Sequence, residues 1–579
     1  MIRLDDLTGR GASWSFAEPC ATGRADALAD VLAVVAAAEA RAAAGEWVVL
    51  VLAYEAAAAF DAVARTAAAP PAGVPYAWWQ SFAERTVAEP LAHGETRVVS
   101  RARRPGRLAY PDAVADIRRR IARGDVYQVN LTDRFDGEFA GTPVEMYAAL
   151  VGVQSCAFGA YVELGDRVIA SASPELFFRW SGNRIECRPM KGTTPRLPRP
   201  GDDRAAAAAL QASAKERAEN VMIVDLLRND LGKLADTGSV HVPELFTLER
   251  YETVWQLTST ITADVPVDTS LVDVLTALFP CGSVTGAPKL AAMGVIAELE
   301  PAPRGVYCGA IGLLAPPGRG DRAVFSVPIR TAVLDPATGT YEYGAGGGVT
   351  WSSDPAAEDA EVRAKARILT RSRRELAILS TLRNDAAGLS NAAAHLDRMG
   401  ASAEWFGYPF DRPAAERALR GVAPAATPER VRLLLAADGT FTVERAPLVA
   451  SPEPVRLAID TEVTAADDPY SCHKTTWRRH YDAARSRFPD ADDTVLVNTR
   501  AHAIETTTAN LAYRIGGQWY CPPLSDGGLP GIGRQAALDQ GHLVERSVRA
   551  ADLAACDELA VINDLRGWRQ AILTAPPTR

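Results

Sequence analysis

The chain has 579 residues, well beyond the roughly 250–300 at which single hydrophobic cores stop growing, so we expect more than one domain. Hydrophobic residues make up 48% and charged residues 23%, an ordinary globular composition. The net charge of −9 is spread along the chain and excludes the basic face of a nucleic-acid-binding protein. No apolar run approaches the roughly 18 residues of a membrane span, and the eight cysteines are scattered without a CxxC pair. These features predict a cytoplasmic protein without nucleic-acid or membrane partners.

Hydrophobic patterns divide the chain near residue 375, giving domains 1–374 and 375–579. In chain order, the first domain has predicted strands at 47–54, 168–172 and 323–333, and helices at 111–123, 214–234, 287–300 and 358–374. The second has predicted strands at 376–379, 455–460, 494–498 and 510–515, and helices at 476–487 and 534–540. This mixed order predicts an α+β fold rather than a strict βαβ alternation.

Two predicted helices of the first domain each carry a pair of glutamates at i, i+3 on one face. Glu216 pairs with Glu219, and Glu358 pairs with Glu361. Either pair alone is typical of a solvated acidic helix face. Together they fit a hard-cation site, because Mg2+ takes carboxylate oxygens and keeps positions open for water or a substrate carboxylate.

A glycine-rich loop from Gly344 to Gly348 precedes the second acidic helix. Such a loop either makes a plain tight turn or lets backbone N–H groups converge on an anion. Arg330, at the end of a predicted strand, and Lys365, one turn beyond Glu361, add cationic partners for a carboxylate. A metal, glycine amides, an arginine and a lysine together describe a pocket for a small di-acid.

Six segments within residues 110–370 carry a family resemblance. They are Gly124-Asp-Val-Tyr-Gln-Val-Asn-Leu-Thr132, Ser171-Ala-Ser-Pro-Glu-Leu-Phe177, Pro189-Met-Lys-Gly-Thr-Thr-Pro-Arg196, Ala218-Glu-Asn-Val-Met-Ile-Val-Asp-Leu-Leu-Arg-Asn-Asp230, Phe279-Pro-Cys-Gly-Ser-Val-Thr-Gly-Ala-Pro-Lys289 and Arg304-Gly-Val-Tyr-Cys-Gly-Ala-Ile-Gly312. In order and spacing this part of the chain resembles the chorismate-utilising enzymes, the group with anthranilate synthase and aminodeoxychorismate synthase component I. The resemblance implies a Mg2+-dependent α/β-sandwich of two stacked antiparallel sheets flanked by helices.

The resemblance also implies the roles of individual residues. Glu219 and Glu361 would be the metal ligands, with Glu216 and Glu358 beside them. The residues implied to bind chorismate and its carboxylates are Thr285, Tyr307, Arg330, Gly344, Gly346 and Lys365.

Two positions discriminate between members of this family. Gln128 stands where the water-adding members have a lysine base, so it favours an ammonia user. Lys191, in Pro189-Met-Lys-Gly-Thr193, stands where anthranilate synthases typically have alanine, and a lysine there is typical of aminodeoxychorismate synthases. A desolvated lysine can act as a nucleophile. In the family's proposed mechanism Lys191 attacks ring carbon C2 while the C4 hydroxyl leaves, helped by the acid Glu175, and ammonia then enters at C4.

Two features bear on this assignment. Gln256 replaces a histidine that many family members have near the reacting ring, which removes a proton carrier. Neither Cys281 nor Cys308 lies in the Gly-x-Cys-x-Gly elbow of a triad glutaminase. We therefore expect ammonia to come from a separate glutamine amidotransferase subunit, or to be used free.

The second domain holds a different ordered set. Pyridoxal phosphate needs a lysine for its imine, a carboxylate at its pyridine nitrogen and a helix N-terminus for its phosphate. Lys474, Glu505 and the Gly531-Ile532-Gly533 segment supply these in order. Each alone is typical of an exposed lysine, a loop glutamate or a helix cap.

The set resembles fold-type IV pyridoxal-phosphate enzymes, specifically aminodeoxychorismate lyase, over most of residues 376–579. The resemblance implies a two-subdomain fold, Arg398 of His395-Leu-Asp-Arg398 as a phosphate ligand and Lys474 as the imine-forming, proton-shuttling residue. Ser380 stands where a glutamate is usual. Branched-chain and D-amino-acid transaminases share the same pattern.

The product of the first implied reaction is the substrate of the second. The two resemblances imply a fusion that aminates chorismate at C4 through Lys191 and then releases 4-aminobenzoate, a folate precursor, and pyruvate, as a homodimer through the pyridoxal-phosphate domain. One alternative is a synthase with a non-catalytic or transaminase-like second domain. The other is an anthranilate synthase fused to a transaminase, which Lys191 disfavours.

Overall fold

The computed structural model describes residues 1–8, 11–89, 91, 97–104, 106–154, 156–251, 254–370, 376–466 and 468–574. The chain forms two compact units. The N-terminal unit is Met1–Pro195 with Ala207–Arg373, and the C-terminal unit is Arg196–Ala206 with Arg374–Arg579. The predicted boundary near residue 375 lies outside the described residues. Within those residues no helix is both long and apolar enough to cross a membrane.

The N-terminal unit contains two antiparallel sheets. Within the described residues the first sheet has eleven strands. Nine of them follow the spatial order Gly286–Ala287, Gln128–Ala140, Thr340–Val349, Thr331–Asp335, Val168–Ser173, Phe158–Glu163, Ile2–Asp5, Trp14–Phe16 and Thr86–Val87. The short strands Arg97–Val98 and Ala102–Arg103 also pair with Gln128–Ala140.

The second sheet has ten strands among the described residues. Nine follow the order Met190–Pro195, Val254–Asp264, Arg184–Arg188, Leu176–Ser181, Ala323–Ser326, Ala310–Leu314, Trp47–Leu52, Ala77–Phe82 and Ala21–Ala25. His241–Arg250 pairs with Val254–Asp264 as the tenth.

The two sheets stack on one another and carry helices on their outer faces. Ile2, Val162 and Ile169 of the first sheet share a core with Val49 and Trp78 of the second. Helices Val31–Ala43, Ala57–Phe60, Ala214–Gly232 and Leu271–Leu278 bury apolar side chains against the second sheet. Helices Tyr110–Arg123, Pro143–Val153, Lys289–Leu299 and Pro355–Lys365 do so against the first. The predicted two-sheet sandwich is confirmed.

One predicted strand is wrong. The apolar run 323–333 forms two strands, Ala323–Ser326 and Thr331–Asp335, which belong to different sheets. Pro328 between them has no N–H to donate to a ladder, and Arg330 has a φ of 54°. The chain therefore crosses from one sheet to the other, and the left-handed residue Arg330 lies at the crossing.

The C-terminal unit contains a small antiparallel sheet covered by helices. Its strand order is Gly388–Leu389, Ile378–Asp385, Glu429–Leu435 and Phe441–Pro447. Leu382, Val431 and Leu433 on one face bury against helices Ala392–Phe406 and Arg412–Arg420. The period of two places Leu379, Thr381, Arg430 and Arg432 on the opposite face.

A larger mixed sheet completes this unit, with eight strands in the described part of the chain. Their order is Ala503–Thr506, Asp493–Asn498, Val455–Thr464, Gly567–Leu573, Glu558–Asn563, Asn510–Ile515, Gln518–Cys521 and Val544–Glu545. The helices nearby in sequence are Pro469–Cys472, Arg479–Arg487 and Ile532–Asp539. Two sheets with separate cores agree with the predicted two-subdomain fold.

Candidate active sites

Lys191 lies on the first strand of the ten-stranded sheet order, beside Gly192, whose φ of 90° suits glycine. Its backbone oxygen accepts a hydrogen bond from Asn220 Nδ2 at 3.3 Å. Burial, and then the positive charge of Lys365, lower the pKa of Lys191. The nearby carboxylates of Glu219, Glu175 and Glu361 act in the opposite direction. The amine therefore lies in an enclosed, charge-rich pocket.

The glycine-rich segment is a strand and not the predicted loop. It belongs to Thr340–Val349, and Gly346 and Gly348 pair with Thr132 and Asn130. The reason for glycine is close approach rather than a turn. A Cβ on Gly348 would lie 2.6 Å from both Lys191 Nζ and Gln128 Nε2. The strand thus forms a floor on which neighbouring side chains rest.

Glu175 is buried between the strands Val168–Ser173 and Leu176–Ser181, with 3% of its surface exposed. Burial raises the pKa of its carboxyl group to about 7, although a hydrogen bond with Ser283 and the charge of Lys191 oppose this. Its Oε1 has no hydrogen-bond partner among the described residues. At neutral pH such a carboxyl group is available as a proton donor.

The two acidic helix faces come together. Ser213 caps the helix Ala214–Gly232 by accepting from the Glu216 N–H at 3.3 Å. Burial, then repulsion by Glu219 and also by Glu361, raises the pKa of Glu216. Burial raises the pKa of Glu358, with contributions from Glu361 and Glu219. The carboxylates of the two helices are therefore close enough to repel one another electrostatically.

Several neutral and cationic groups surround these carboxylates. Thr350 Oγ1 donates to Glu219 Oε1 at 3.1 Å, and Ser353 Oγ donates to Glu358 Oε1 at 2.7 Å. Lys365 Nζ lies 2.7 Å from Glu361 Oε1 and donates to the Gly346 carbonyl oxygen at 2.8 Å. Within the described residues no three His, Cys, Asp or Glu side chains form a preformed metal cluster.

The residues predicted to hold substrate carboxylates differ in environment. Tyr307 is buried under Gly344, whose Cβ would collide with its ring, and Arg134 lies over that ring at 5.0 Å. Burial lowers the pKa of the half-buried Arg330. Thr285 is fully buried, and its hydroxyl donates to the Cys281 carbonyl oxygen at 3.2 Å.

Arg304 is a supporting residue that sequence reasoning missed. It is 3% exposed and pairs with Glu300 at 2.7 Å. Its guanidinium also donates to the backbone oxygens of Val284 at 2.6 Å and Asn130 at 2.7 Å. These bonds fix the segment before Thr285 and the strand beside Gly348. Arg304 is the first residue of the motif from Arg304 to Gly312, but the motif alone does not indicate which backbone groups the side chain contacts.

The two glutamines noted in the sequence, Gln128 and Gln256, have different surroundings. Gln128 is fully buried, and both of its amide atoms are without a hydrogen-bond partner in the described part of the chain. Gln256 accepts a hydrogen bond from Thr193 Oγ1 at 3.0 Å. Gln256 thus fixes the strand that carries Lys191, whereas the Gln128 amide remains available to a ligand.

A cavity of about 340 Å3 in the C-terminal unit contains Lys474. The predicted helix 476–487 begins only at Arg479. Thr475 forms a backbone bridge with Ile378, and the Lys474 carbonyl accepts from the Leu379 N–H at 2.8 Å, so this segment is extended. Burial, and then the charges of Arg398 and other arginines, lower the pKa of Lys474 to about 7.

Glu505 is held rigidly in the same cavity. Its carboxylate accepts hydrogen bonds from Tyr481 Oη at 2.8 Å, Asn510 Nδ2 at 3.0 Å and the Leu529 N–H at 3.1 Å. Burial raises the pKa of Glu505 to about 7. Tyr481 and Asn510 were not predicted as functional, although Asn510 begins the predicted strand 510–515.

Arg398 and the N-terminus of helix Ile532–Asp539 also line this cavity. Arg398 Nη1 donates to the Pro530 carbonyl at 3.4 Å, while the buried Nη2 has no partner among the described residues. Gly531 is the N-cap, and a Cβ there would collide with Asn510. A free guanidinium nitrogen beside helix N–H groups fits a phosphate.

Ser380, the departure noted in the sequence, does not line the cavity. It lies on the buried helix-facing side of the small sheet, where its hydroxyl donates to the His395 carbonyl at 3.3 Å. The neighbouring Thr381 lines the cavity instead.

Comparison with known proteins matches each half of the chain to a different family. Residues 83–371 match the family model of chorismate binding enzymes, and residues 378–572 match the model of class IV amino-transferases. The chain therefore combines a domain of the chorismate binding enzyme family with a domain of the class IV aminotransferase family. The second family implies pyridoxal phosphate as cofactor.

The similar curated proteins each match less than half of this chain. Aminodeoxychorismate synthase component 1 of Escherichia coli strain K12 is 44% identical over 252 residues, which cover 44% of this chain and 54% of that protein. Aminodeoxychorismate synthase of Streptomyces griseus is 45% identical, over 43% of this chain and 34% of that protein. Anthranilate synthase component 1 of Streptomyces coelicolor is 39% identical, over 45% and 50%. The chain spans about half the length of the first of these relatives.

Anthranilate synthase component I from Streptococcus pneumoniae has a similar solved structure. Its TM-score is 0.53 at 24% identity, and the match covers 62% of this chain and 93% of that protein. This likeness shows the fold of the matched part of the chain.

Proposed function

We propose that the chain aminates chorismate at C4 and then cleaves the product to 4-aminobenzoate and pyruvate. Residues 1–374 would form the synthase and residues 375–579 the lyase. The observation that carries the proposal is the position of the Lys191 amine. It lies beside Gly348 of the strand Thr340–Val349, in a pocket shared with Glu175 and the paired glutamates. The similarity to aminodeoxychorismate synthases supports the same conclusion.

The paired glutamates fit Mg2+ as a cofactor. Glu216, Glu219, Glu358 and Glu361 bring together carboxylates whose mutual repulsion a hard cation would relieve. Gly347 leaves room beside them, because a Cβ there would lie 3.0 Å from Glu358 Oε2. When bound, Mg2+ supplies positive charge that holds a substrate carboxylate.

The protein's own groups account for the regiochemistry. The neutral Lys191 amine forms a bond to C2 as the C4–O bond breaks, and Glu175 protonates the leaving hydroxyl so that water departs. Ammonia then forms a bond at C4, and the C2–N bond to Lys191 breaks. Tyr307, Arg330 and Lys365, with the amides at Gly344 and Gly346, hold the substrate carboxylates, while Thr285 lies in the wall fixed by Arg304.

The C-terminal cavity fits pyridoxal phosphate. The partnerless Arg398 Nη2 and the helix N-terminus at Gly531, Ile532 and Gly533 would hold the phosphate. Glu505, oriented by Tyr481 and Asn510, would face the pyridine nitrogen. The bound cofactor supplies an electron sink for cleavage of the C–O bond. Lys474, with its pKa near 7, can give and take protons at neutral pH.

We further propose that a separate glutamine amidotransferase supplies the ammonia, as the words "component 1" suggest for the Escherichia coli relative. None of the eight cysteines is paired in a disulfide within the described residues. A homodimer through the C-terminal unit is also part of the proposal.

One assay tests this function. The full chain with pyridoxal phosphate, Mg2+, chorismate and ammonium should form 4-aminobenzoate and pyruvate in equal amounts. Lys191→Ala should remove both products, and Lys474→Ala should stop the reaction after amination. Anthranilate as the main product would contradict the proposal and favour the anthranilate synthase alternative.

A further inference from the structure

Two arginines line the Lys474 cavity without an acidic partner among the described residues. Arg430 and Arg566 both line the cavity, and neither forms an ion pair with a described carboxylate within 4.0 Å. Arg566 donates from Nη2 to the Val449 carbonyl at 3.0 Å. Burial and the nearby charge of Arg430 lower the pKa of Arg566. Two adjacent guanidinium groups repel one another, so an anion between them would be stabilised.

The cavity holds more positive charge than the cofactor requires. Its lining includes Arg398, Arg430, Arg432, Lys474, Arg478 and Arg566, against the acids Glu505 and Asp564. Arg398 serves the phosphate, and Arg432 is engaged by Glu444 at 3.1 Å. Arg478 donates to the Thr507 carbonyl at 2.7 Å. The pair Arg430–Arg566 is left for a further anion.

Strand register places Arg430 away from Lys474, and the charge of Arg430 acts on Arg566. Leu379 contacts the Lys474 backbone, Thr381 is opposite Arg432, and Arg383 is opposite Arg430. A two-residue step along a strand is about 7 Å. Arg430 therefore lies two such steps, about 14 Å of strand, beyond Leu379. The charge of Arg432 acts on the Lys474 pKa, which is consistent with its shorter separation.

We propose that Arg430 and Arg566 bind the ring carboxylate of 4-amino-4-deoxychorismate. This rests on the proposed lyase function. The substrate amine must reach the cofactor at Lys474, and the ring carboxylate lies para to that amine, at the opposite end of the ring. The enolpyruvyl carboxylate hangs from the neighbouring carbon and stays closer to Lys474. A cationic pair at the distant end of the cavity matches the para carboxylate.

A binding experiment tests the pair without catalysis. The full-length protein with pyridoxal phosphate is titrated with 4-aminobenzoate, which keeps the ring carboxylate but lacks the enolpyruvyl group, and the cofactor absorbance is followed. Arg430→Gln and Arg566→Gln should each weaken binding about tenfold or more, as expected for loss of a charged hydrogen bond. Arg430→Lys, which keeps the charge, should recover part of the affinity.

Two controls separate this from a general charge effect. Arg445→Gln removes a charge from the outer strand of the same sheet, where Arg445 pairs with Glu429 at 2.7 Å, and it should leave binding unchanged. Neutral 4-aminobenzamide should bind weakly and equally to all variants. Unchanged 4-aminobenzoate affinity in both glutamine variants would overturn the proposal. Loss of cofactor absorbance in them would also overturn it, because the pair would then serve the phosphate.

Turnover of purified 4-amino-4-deoxychorismate gives a separate readout. The glutamine variants should raise KM about tenfold or more with a smaller change in kcat. If the unsubstituted protein does not convert this compound, the lyase function fails, and the 4-aminobenzoate titration still reports on the pair. If it converts the compound and the variants keep its KM, only the carboxylate assignment fails.

Discussion

The pockets around Lys191 and Lys474 use the same residue type in opposite charge environments. Both lysines have lowered pKa values, and both lie near a glutamate whose pKa is about 7. The charges that act on Lys191 include three glutamates and one lysine. Those that act on Lys474 include three arginines and one glutamate. The acidic pocket suits a divalent cation, whereas the basic one suits an anionic cofactor and an anionic substrate.

The difference teaches how a lysine is kept reactive. Burial is the largest cause of the lowered pKa in both pockets, so enclosure sets the direction of the shift. The surrounding charges then set its extent. At Lys474 the arginines add to burial, and the pKa falls to about 7. At Lys191 the glutamates raise the pKa and so oppose the effect of burial. Whether the amine is neutral therefore depends more strongly on what binds beside it.

The largest expected effect separates the two lysines. Lys191→Ala should lower formation of 4-aminobenzoate from chorismate at least about a thousandfold, because it removes the proposed nucleophile. Turnover of supplied 4-amino-4-deoxychorismate should continue at the original rate. Product analysis by chromatography checks both, and near-normal 4-aminobenzoate formation from chorismate would show that Lys191 is not the nucleophile.

The next effect concerns the buried Arg304–Glu300 ion pair and its contribution to the stability of the N-terminal unit. Arg304→Gln leaves buried Glu300 without its partner, since the two side chains are 2% and 6% exposed. Breaking a buried ion pair costs about 3–5 kcal/mol. Urea unfolding of the N-terminal unit should move to lower concentration while cofactor absorbance in the C-terminal unit persists. An unchanged midpoint would show that the pair contributes little.

A smaller effect tests the close approach of Gly348 to the side chains of Lys191 and Gln128. Gly348→Ala places a Cβ 2.6 Å from Lys191 Nζ and Gln128 Nε2, the tips of side chains that can move aside. Folding should be preserved, while the displaced amine should slow amination about 10–100-fold. Gly232→Ala is the matched control, because no atom lies within 4 Å of a Cβ there. Equal amination rates for the two variants would show that Gly348 does not position the Lys191 amine.

The smallest effect is a pH dependence of the basic pocket. The pKa of Lys474 is about 7, so its neutral fraction should be nearly complete above pH 8. Incorporation of pyridoxal phosphate into apoprotein should be flat above pH 8 and should fall about tenfold per unit well below pH 7. A rate that keeps rising between pH 8 and 10 would indicate an ordinary lysine pKa.

Local patterns predicted the fold class well. Helix 111–123 corresponds to Tyr110–Arg123, and strand 510–515 is Asn510–Ile515. The run 323–333 failed because an apolar pattern does not show that a chain changes sheets at Pro328. The glycine segment was interpreted as a loop because glycine usually marks turns, whereas here it is needed where side chains from distant segments approach a strand.

The sites were predictable only where a motif marked them. Lys191, Glu175, Lys474 and Glu505 each stand in such a motif, and each lies in one of the two pockets. Arg430 and Arg566 were not predicted as functional. They lie more than a hundred residues apart, and the resemblance of the segment from Asp557 to Gly567 to the family's closing strand gave Arg566 no role. Their significance depends on lining one cavity without an ion-pair partner among the described residues, which only the folded chain reveals.

The central claim is that the Lys191 pocket directs nitrogen to C4. The most direct measurement uses the Lys474→Ala variant, in which the second reaction is blocked, supplied with chorismate, ammonium and Mg2+. NMR of the accumulated product should show 4-amino-4-deoxychorismate, with the amine on C4 and the enolpyruvyl group intact. Accumulation of anthranilate, or of a product aminated at C2, would contradict the account.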